Sequence, residues 1–172
     1  YRLSLAKKSR DTVSERNLFE KLLEFNRRQA AEALALPLEE ALNPIQRMQI
    51  HLLAVSLANI GDRQRMDGDP DCISMFEEAA SLFERIDRKV ERADLACSIG
   101  SAFRDVPVIR NLERAAESYQ SSLSLRASTD HIGQAESLRE LGKVSHLRFN
   151  EAERLGEPKE TCLMHANEAL RL

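Results

Sequence analysis

Internal self-similarity constrains this chain more than any other feature of its sequence. A large apolar residue followed by a small one recurs at a spacing of 42 residues (99 − 57 and 141 − 99), as Leu57-Ala58, Ile99-Gly100 and Leu141-Gly142. A second pattern places Ala three positions, and another large residue seven positions, after a large residue: Phe76-Ala79-Phe83, Leu112-Ala115-Tyr119 and Leu163-Ala166-Leu170. Spacings of three and seven residues place side chains on one face of a helix, and small residues among large ones let helices approach closely. The sequence therefore predicts repeated helix pairs, with Gly100 and Gly142 buried where helices touch.

Local signals predict that the chain is helical throughout. Asn43-Pro44 is a strong helix start, because Asn suits the N-cap and Pro suits the first helical position. Thr12 and Glu15 have the spacing of a capping box. Apolar periodicity predicts helices over 12–36, from 43 onward, and over 74–87, 91–104, 111–127, 129–155 and 159–172, whereas the charged segment 62–71 predicts a loop. Apolar and polar residues alternate in no sustained segment, so we predict an all-α fold without strands.

The helix that begins at Asn43 carries two apolar stripes. They are Ile45/Met48/Leu52/Val55 and Ile50/Leu53/Leu57/Ile60. A helix that is apolar on two sides is expected to lie buried between neighbours on both sides.

At the repeated residues the chain resembles the tetratricopeptide repeat family, whose units are two antiparallel helices stacked into a superhelix. The resemblance implies three repeats at 43–90, 91–128 and 129–172, with a helical segment 1–42 packing on the first. The distances from the small residue to the next large anchor (76 − 58 = 18, 112 − 100 = 12, 163 − 142 = 21) are mostly longer than is usual in that family. In this respect the units look like those attached to caspase-like CHAT domains or to signalling NTPases.

Composition excludes several classes of partner and compartment. The formal net charge of −3 offers no general attraction to nucleic acid or to an anionic membrane, and no apolar run approaches the ~20 residues that span a bilayer. Cys72, Cys97 and Cys162 are odd in number and widely spaced, which indicates free thiols in a reducing, cytoplasmic compartment. Because the chain lacks an initial Met and ends within a predicted helix, we expect it to be a piece of a longer protein.

One group of acidic residues suggests a metal-binding site. Four acidic residues have the spacing of calcium-loop positions 1, 3, 5 and 12: Asp67, Asp69, Asp71 and Glu78. Position 6, which needs Gly for a sharp turn, is Cys72, so we favour a solvated loop in which Asp69 or Asp71 caps the next helix. In that interpretation Ser74 and Glu77 form a capping box. We predict no metal, cofactor or catalytic residue, because the histidines are dispersed and no nucleophile or phosphate-binding motif is present.

The first helices of the units carry the candidate binding residues. In the family the resemblance points to, these helices line a concave groove, where we expect Asn59, Ser101, Arg104, Arg139, Lys143 and His146. Their positive charge favours an acidic or C-terminal peptide. The other interpretation, which we favour from the residues alone, is a solvated face in which Arg139 pairs with Glu136 or Glu140.

Three functions compete. The favoured one is a module that binds a partner protein, or another domain of its own chain, through the groove. The next is a regulatory or sensor arm of a larger enzyme, such as a CHAT protease or signalling NTPase. A stand-alone helical enzyme ranks last, because no acid/base or nucleophile constellation stands out.

Overall fold

The computed structural model describes the backbone of residues 2–38 and 40–171, and the side chains of residues 17–38, 40–168 and 171. This part of the chain holds seven α-helices and no strand. The helices are α1 (Arg2–Ala35), α2 (Pro44–Asp67), α3 (Cys72–Arg85), α4 (Lys89–Asp105), α5 (Leu112–Leu125), α6 (His131–Leu155) and α7 (Lys159–Arg171). The prediction of an all-helical chain is confirmed.

Side-chain caps explain why several helices begin where the sequence predicts. Asn43 accepts a hydrogen bond from the Gln46 amide, and the Gln46 side chain accepts one from the Asn43 amide, both at 2.9 Å. The Asn111 side chain caps α5 and that of Asp130 caps α6, by accepting from backbone amides three residues ahead at 2.9 and 3.0 Å. These bonds satisfy amides that the first helical turn leaves without partners. The predicted starts at Asn43 and Asn111 are confirmed, and α6 begins within two residues of the predicted position 129.

Two predicted boundaries near the N-terminal half are wrong. Helix α1 begins at Arg2 rather than at Thr12, and the side chains of Thr12 and Glu15 lie outside the described ones. Helix α2 continues to Asp67, so the loop predicted over 62–71 shrinks to its last four residues. The charges of 62–67 are compatible with helix because they pair along it, as Arg63 does with Asp67 at 3.4 Å.

The start of α3 also differs from the prediction. The helix begins at Cys72, so Ser74 lies inside the first turn, where its hydroxyl donates to the Asp71 carbonyl at 2.8 Å. Asp71 occupies the N-cap position but makes no side-chain cap bond. The predicted capping box of Ser74 and Glu77 is therefore absent.

Helices pack mainly on their neighbours along the chain. Closest contact is made within the pairs α2–α3, α4–α5 and α6–α7 and between α1 and α2. We call α2, α4 and α6 the first helices, and α3, α5 and α7 the second helices. Among the described residues, α2 also contacts α4 and α4 contacts α6, whereas the second helices do not contact one another. The first helices therefore share one side of the stack.

An aromatic ring lying on a glycine recurs in the first two pairs. A methyl group placed on Gly61 would lie 2.6 Å from the Phe76 ring, and one placed on Gly100 would lie 2.8 Å from the Tyr119 ring. Both rings are fully buried. Phe76 and Tyr119 thus occupy equivalent positions in the two pairs. The sequence pattern instead aligned Tyr119 with Phe83, which lies two helical turns after Phe76. The equivalent glycines are 39 residues apart (100 − 61), not 42.

Two predicted burials are wrong. Gly142 is half-buried, and nothing lies within 4 Å of a methyl group placed on it, because Leu141 and Val144 supply the buried surface of this turn. On α2, one stripe is buried through Ile50, Leu53 and Leu57, but the other is largely exposed at Ile45, Met48 and Leu52. The α2 helix therefore packs against α1 and α3 through the buried stripe and leaves most of the other stripe exposed.

Candidate functional site

A buried carboxylate organises the basic residues that the sequence singled out. Glu140 lies on α6 with a side chain only 9% exposed. Its carboxylate accepts hydrogen bonds from Lys143 at 2.7 Å and from Arg104, which reaches across from α4. It also forms an ion pair with Arg139 at 3.0 Å. We call Glu140, Arg104, Arg139 and Lys143 the basic cluster. It ties two first helices together.

The pairing controls the charge state of both acids near Arg104. Burial alone would raise the pKa of Glu140, but hydrogen bonds from Lys143 and Arg104 outweigh burial and hold that pKa below its usual value. The neighbouring Asp105 accepts from Arg104 at 2.7 and 2.8 Å, which lowers its pKa as well. Both carboxylates are therefore ionised at neutral pH, and Arg104 is held between them.

A pH-dependent contribution to stability follows from Glu140. Because its pKa is lower in the folded state, its contribution is complete above the unfolded value of about 4.3 and disappears as pH falls through the folded value. We expect Glu140→Gln to reduce the free energy of unfolding by about 2 kcal/mol at pH 7, because three cations lose their partner. At an acid pH below the lowered pKa of Glu140 the difference should vanish, since wild-type Glu140 is then neutral too.

Urea unfolding at both pH values tests this expectation. Glu117→Gln, which neutralises an exposed carboxylate on α5, is the matched control and should change stability little at either pH. An equal loss for Glu140→Gln at both pH values would contradict the ionic role.

Three of the predicted groove residues line one open cavity of about 610 Å³: Arg104, Lys143 and His146, together with Asp105, Pro107, Arg110 and Leu147. Arg139 joins them through Glu140. Ser101 is half-buried and lies 3.0 Å from the Tyr119 hydroxyl, whose ring is 6.0 Å from the Arg104 guanidinium. Asn59 is exposed on α2, apart from this cavity. The structure therefore brings four of the six residues together.

The tyrosine beneath the cluster is held neutral by its surroundings. Burial is the main cause that raises the pKa of Tyr119 to about 12, despite its contacts with Ser101 and Arg104. Its hydroxyl therefore serves as a neutral hydrogen-bonding group. Sequence reasoning identified Tyr119 only as a packing residue.

The local charge is less positive than the sequence suggested. Arg104, Arg139 and Lys143 are balanced by Glu140 and Asp105, and Arg139 also lies 3.6 Å from Glu136. The exposed surface of the cluster is nevertheless cationic. The side chains of Arg139 and Lys143 are 62% and 50% exposed, whereas Glu140 is buried beneath them. The solvated-face interpretation predicted that Arg139 pairs with Glu136 or Glu140, and the structure shows Arg139 near both.

A second cavity, of about 370 Å³, lies where α5, α6 and α7 meet. Arg148 donates to the Leu112 carbonyl at 3.2 Å and lies 3.5 Å from Glu113, while His165 lines the same space. Three glutamates line this cavity beside two arginines, so its charge does not favour an anion. From the sequence, no role was predicted for His165.

Two of the four acidic residues with calcium-loop spacing are engaged elsewhere. Both carboxylate oxygens of Glu78 accept from one terminal nitrogen of Arg27 of α1, at 2.9 and 3.2 Å, and Asp67 pairs with Arg63 on its own helix. Within the described residues no group of three or more His, Cys, Asp or Glu side chains is placed to hold a metal ion. In the same part of the chain, no helix combines the length and the apolar character needed to cross a bilayer.

No protein-family model matches this chain, and neither a curated protein nor a solved structure matches it.

Proposed function

We propose that the chain is a tetratricopeptide-like stack that binds a partner polypeptide on the side shared by its first helices. The observation that supports this most is the asymmetry of the packing. First helices of successive pairs contact one another and second helices do not. In a curved stack the elements on the inner side come closer together, so this asymmetry favours a concave side made by α2, α4 and α6. The recurring glycine–aromatic contact supports a repeated unit.

The basic cluster supplies the chemistry with which this side holds a partner. Lys143 has three N–H donors and Arg139 has five, and Glu140 occupies only some of them. Because Glu140 is buried beneath, it holds both side chains in place while their tips stay accessible. A carboxylate of an acidic or C-terminal peptide would accept charge-assisted hydrogen bonds from these tips.

A pair of charge-neutralising variants tests the proposal. Arg139→Gln/Lys143→Gln should weaken capture of the native partner at least about tenfold, because two charged donors are lost. Glu136→Gln should strengthen capture about two- to fivefold, because it removes the exposed acid beside Arg139. Gln is preferable to Glu at 139 and 143, since new carboxylates beside Glu140 would also destabilise the fold.

Quantitative pull-down from native lysate, with bound proteins identified by mass spectrometry, measures both effects. Arg154→Gln/Lys159→Gln removes two exposed cations at the end of α6 and the start of α7 and serves as the control. Unchanged capture by the folded Arg139→Gln/Lys143→Gln variant would remove the basic cluster from the binding site.

A further inference from the structure

The cavity of about 610 Å³ contains a cationic residue that the sequence did not single out. Four of its described lining residues carry, or can carry, a positive charge: Arg104, Arg110, Lys143 and His146. Arg110 lies in the connection between α4 and α5, whereas Lys143 and His146 lie on α6. We call this space the cationic cavity. Because its cations come from separate segments of the chain, they can approach a bound group from more than one direction.

The carboxylates that balance these cations lie mostly outside the described lining of the cationic cavity. Glu140 is 9% exposed beneath the other members of the basic cluster. Arg110 lines both this cavity and the one of about 370 Å³, whereas its partner Glu151, at 2.5 Å, lines the smaller one. Asp105 is the one carboxylate in the described lining, and both of its oxygens accept from Arg104. The balancing carboxylates are therefore buried, occupied, or placed at the neighbouring cavity.

Several N–H donors of the cationic cavity remain for a ligand. Lys143 donates one of its three N–H bonds to Glu140. Arg110, whose side chain is 40% exposed, meets Glu151 through one nitrogen of a guanidinium that has five N–H bonds. His146 is exposed, and none of the hydrogen bonds or ion pairs among the described residues involves it. A bound anion can therefore accept hydrogen bonds from both segments at once.

We infer that the cationic cavity binds the phosphate of a phosphorylated serine or threonine in the partner polypeptide; this rests on the proposed function. A phosphate monoester carries a charge of about −1.5 to −2 at neutral pH and has three strong acceptor oxygens. A carboxylate carries one charge and has two acceptor oxygens. The additional oxygen and charge suit a cavity with donors from two segments, because a carboxylate can be satisfied by one segment alone.

A free phosphate and a phospholipid headgroup share this chemistry, but two observations favour a polypeptide. The lining also contains Pro107 and Leu147, which offer apolar contacts to the residues beside a phosphorylated one. A free phosphate has no group that would use these contacts. The formal net charge of −3 gives the chain no general attraction to an anionic membrane.

The probe is an array of short random peptides, each synthesised in three versions that differ only in the central residue: phosphoserine, glutamate or serine. The whole chain, fluorescently labelled, is applied to the array, and dissociation constants of the best sequences are measured by fluorescence anisotropy in all three versions. The phosphoserine version should bind at least about tenfold more tightly than the glutamate version, because it adds a charge and an acceptor oxygen. The serine version should bind most weakly.

Arg110→Gln tests the location, because Arg110 lies outside the basic cluster. This variant should reduce the preference for phosphoserine over glutamate to about threefold or less, since one of the two segments loses its charge. An exposed ion pair contributes little to stability, so the variant should remain folded, which circular dichroism checks. Arg88→Gln is the matched control, because it removes an exposed, paired cation at the other end of α4 and should keep the preference.

The other outcomes separate this inference from the proposed function. Equal binding of the phosphoserine and glutamate versions, lost in both when Arg139→Gln/Lys143→Gln is made, would overturn the inference and leave the proposed function standing. A phosphoserine preference that survives Arg110→Gln would remove the phosphate from the cationic cavity. Inorganic phosphate that binds as tightly as the best peptide, or phosphoinositide vesicles that bind when no peptide does, would overturn the polypeptide as its source. Failure of every peptide to bind would overturn the inference, while the pull-down from lysate decides the proposed function independently.

Discussion

Gly100→Leu should lower the free energy of unfolding by about 3 kcal/mol. A methyl group at this position would already lie 2.8 Å from the Tyr119 ring, and the rest of the leucine would extend further into it. The ring has little freedom to move, because Tyr119 is fully buried and its hydroxyl lies 3.0 Å from Ser101. The substitution must therefore separate α4 from α5 or force the ring from its position. Chemical unfolding followed by circular dichroism measures the loss.

Gly142→Leu is the matched control for this prediction. It makes the same change in the middle of another first helix, where nothing lies within 4 Å of the added carbon. Because leucine favours a helix over glycine by about 0.5–1 kcal/mol, this variant should be as stable as the wild type or slightly more so. Equal losses for the two variants would mean that glycine is not needed for the contact with Tyr119.

Arg85→Leu should release much of α1 from the rest of the molecule. The Arg85 side chain, on α3, donates hydrogen bonds to the carbonyls of Ala33, Leu34 and Leu36 at 2.9, 3.2 and 2.7 Å. These carbonyls lie at the C-terminal end of α1, where a helix leaves its acceptors unpaired and where positive charge is favourable. Losing three charge-assisted bonds should cost about 2–4 kcal/mol of the free energy that holds α1 in place.

Amide hydrogen exchange distinguishes release of α1 from general unfolding. Protection should fall in α1 and remain in α4 and α5, to which the hydrogen bonds of the Arg85 side chain do not extend. Arg88→Leu is the control, because this side chain is half exposed and its ion pair, with Glu91, is long at 3.7 Å. Protection of α1 that survives in Arg85→Leu would show that Ala30 and Ala33, both fully buried, hold this helix without the cap.

The basic cluster could be predicted from the sequence only in part. The cations of α6 were recognisable because Arg139, Lys143 and His146 recur at helical spacing. Glu140 was considered as a surface partner of Arg139, since nothing in the sequence indicates that Arg104 of another helix meets it or that it is 9% exposed. Which charges remain available to a ligand depends on that burial. The net charge of the region was therefore overestimated.

The sequence by itself determined where most helices begin and end, because caps and breaks act over a few residues. Asn43 with Gln46, Asn111 and Asp130 start helices through bonds within one turn, and Gly156 ends α6 with a backbone φ of 68° that glycine adopts readily. Only the tertiary structure decided the register between helices. Phe76 lies on Gly61 and Tyr119 on Gly100, although different numbers of residues separate the partners (76 − 61 = 15 and 119 − 100 = 19). The lengths of the helix ends and loops absorb that difference, so counting along the chain could not show which turns meet, or that Gly142 would meet none.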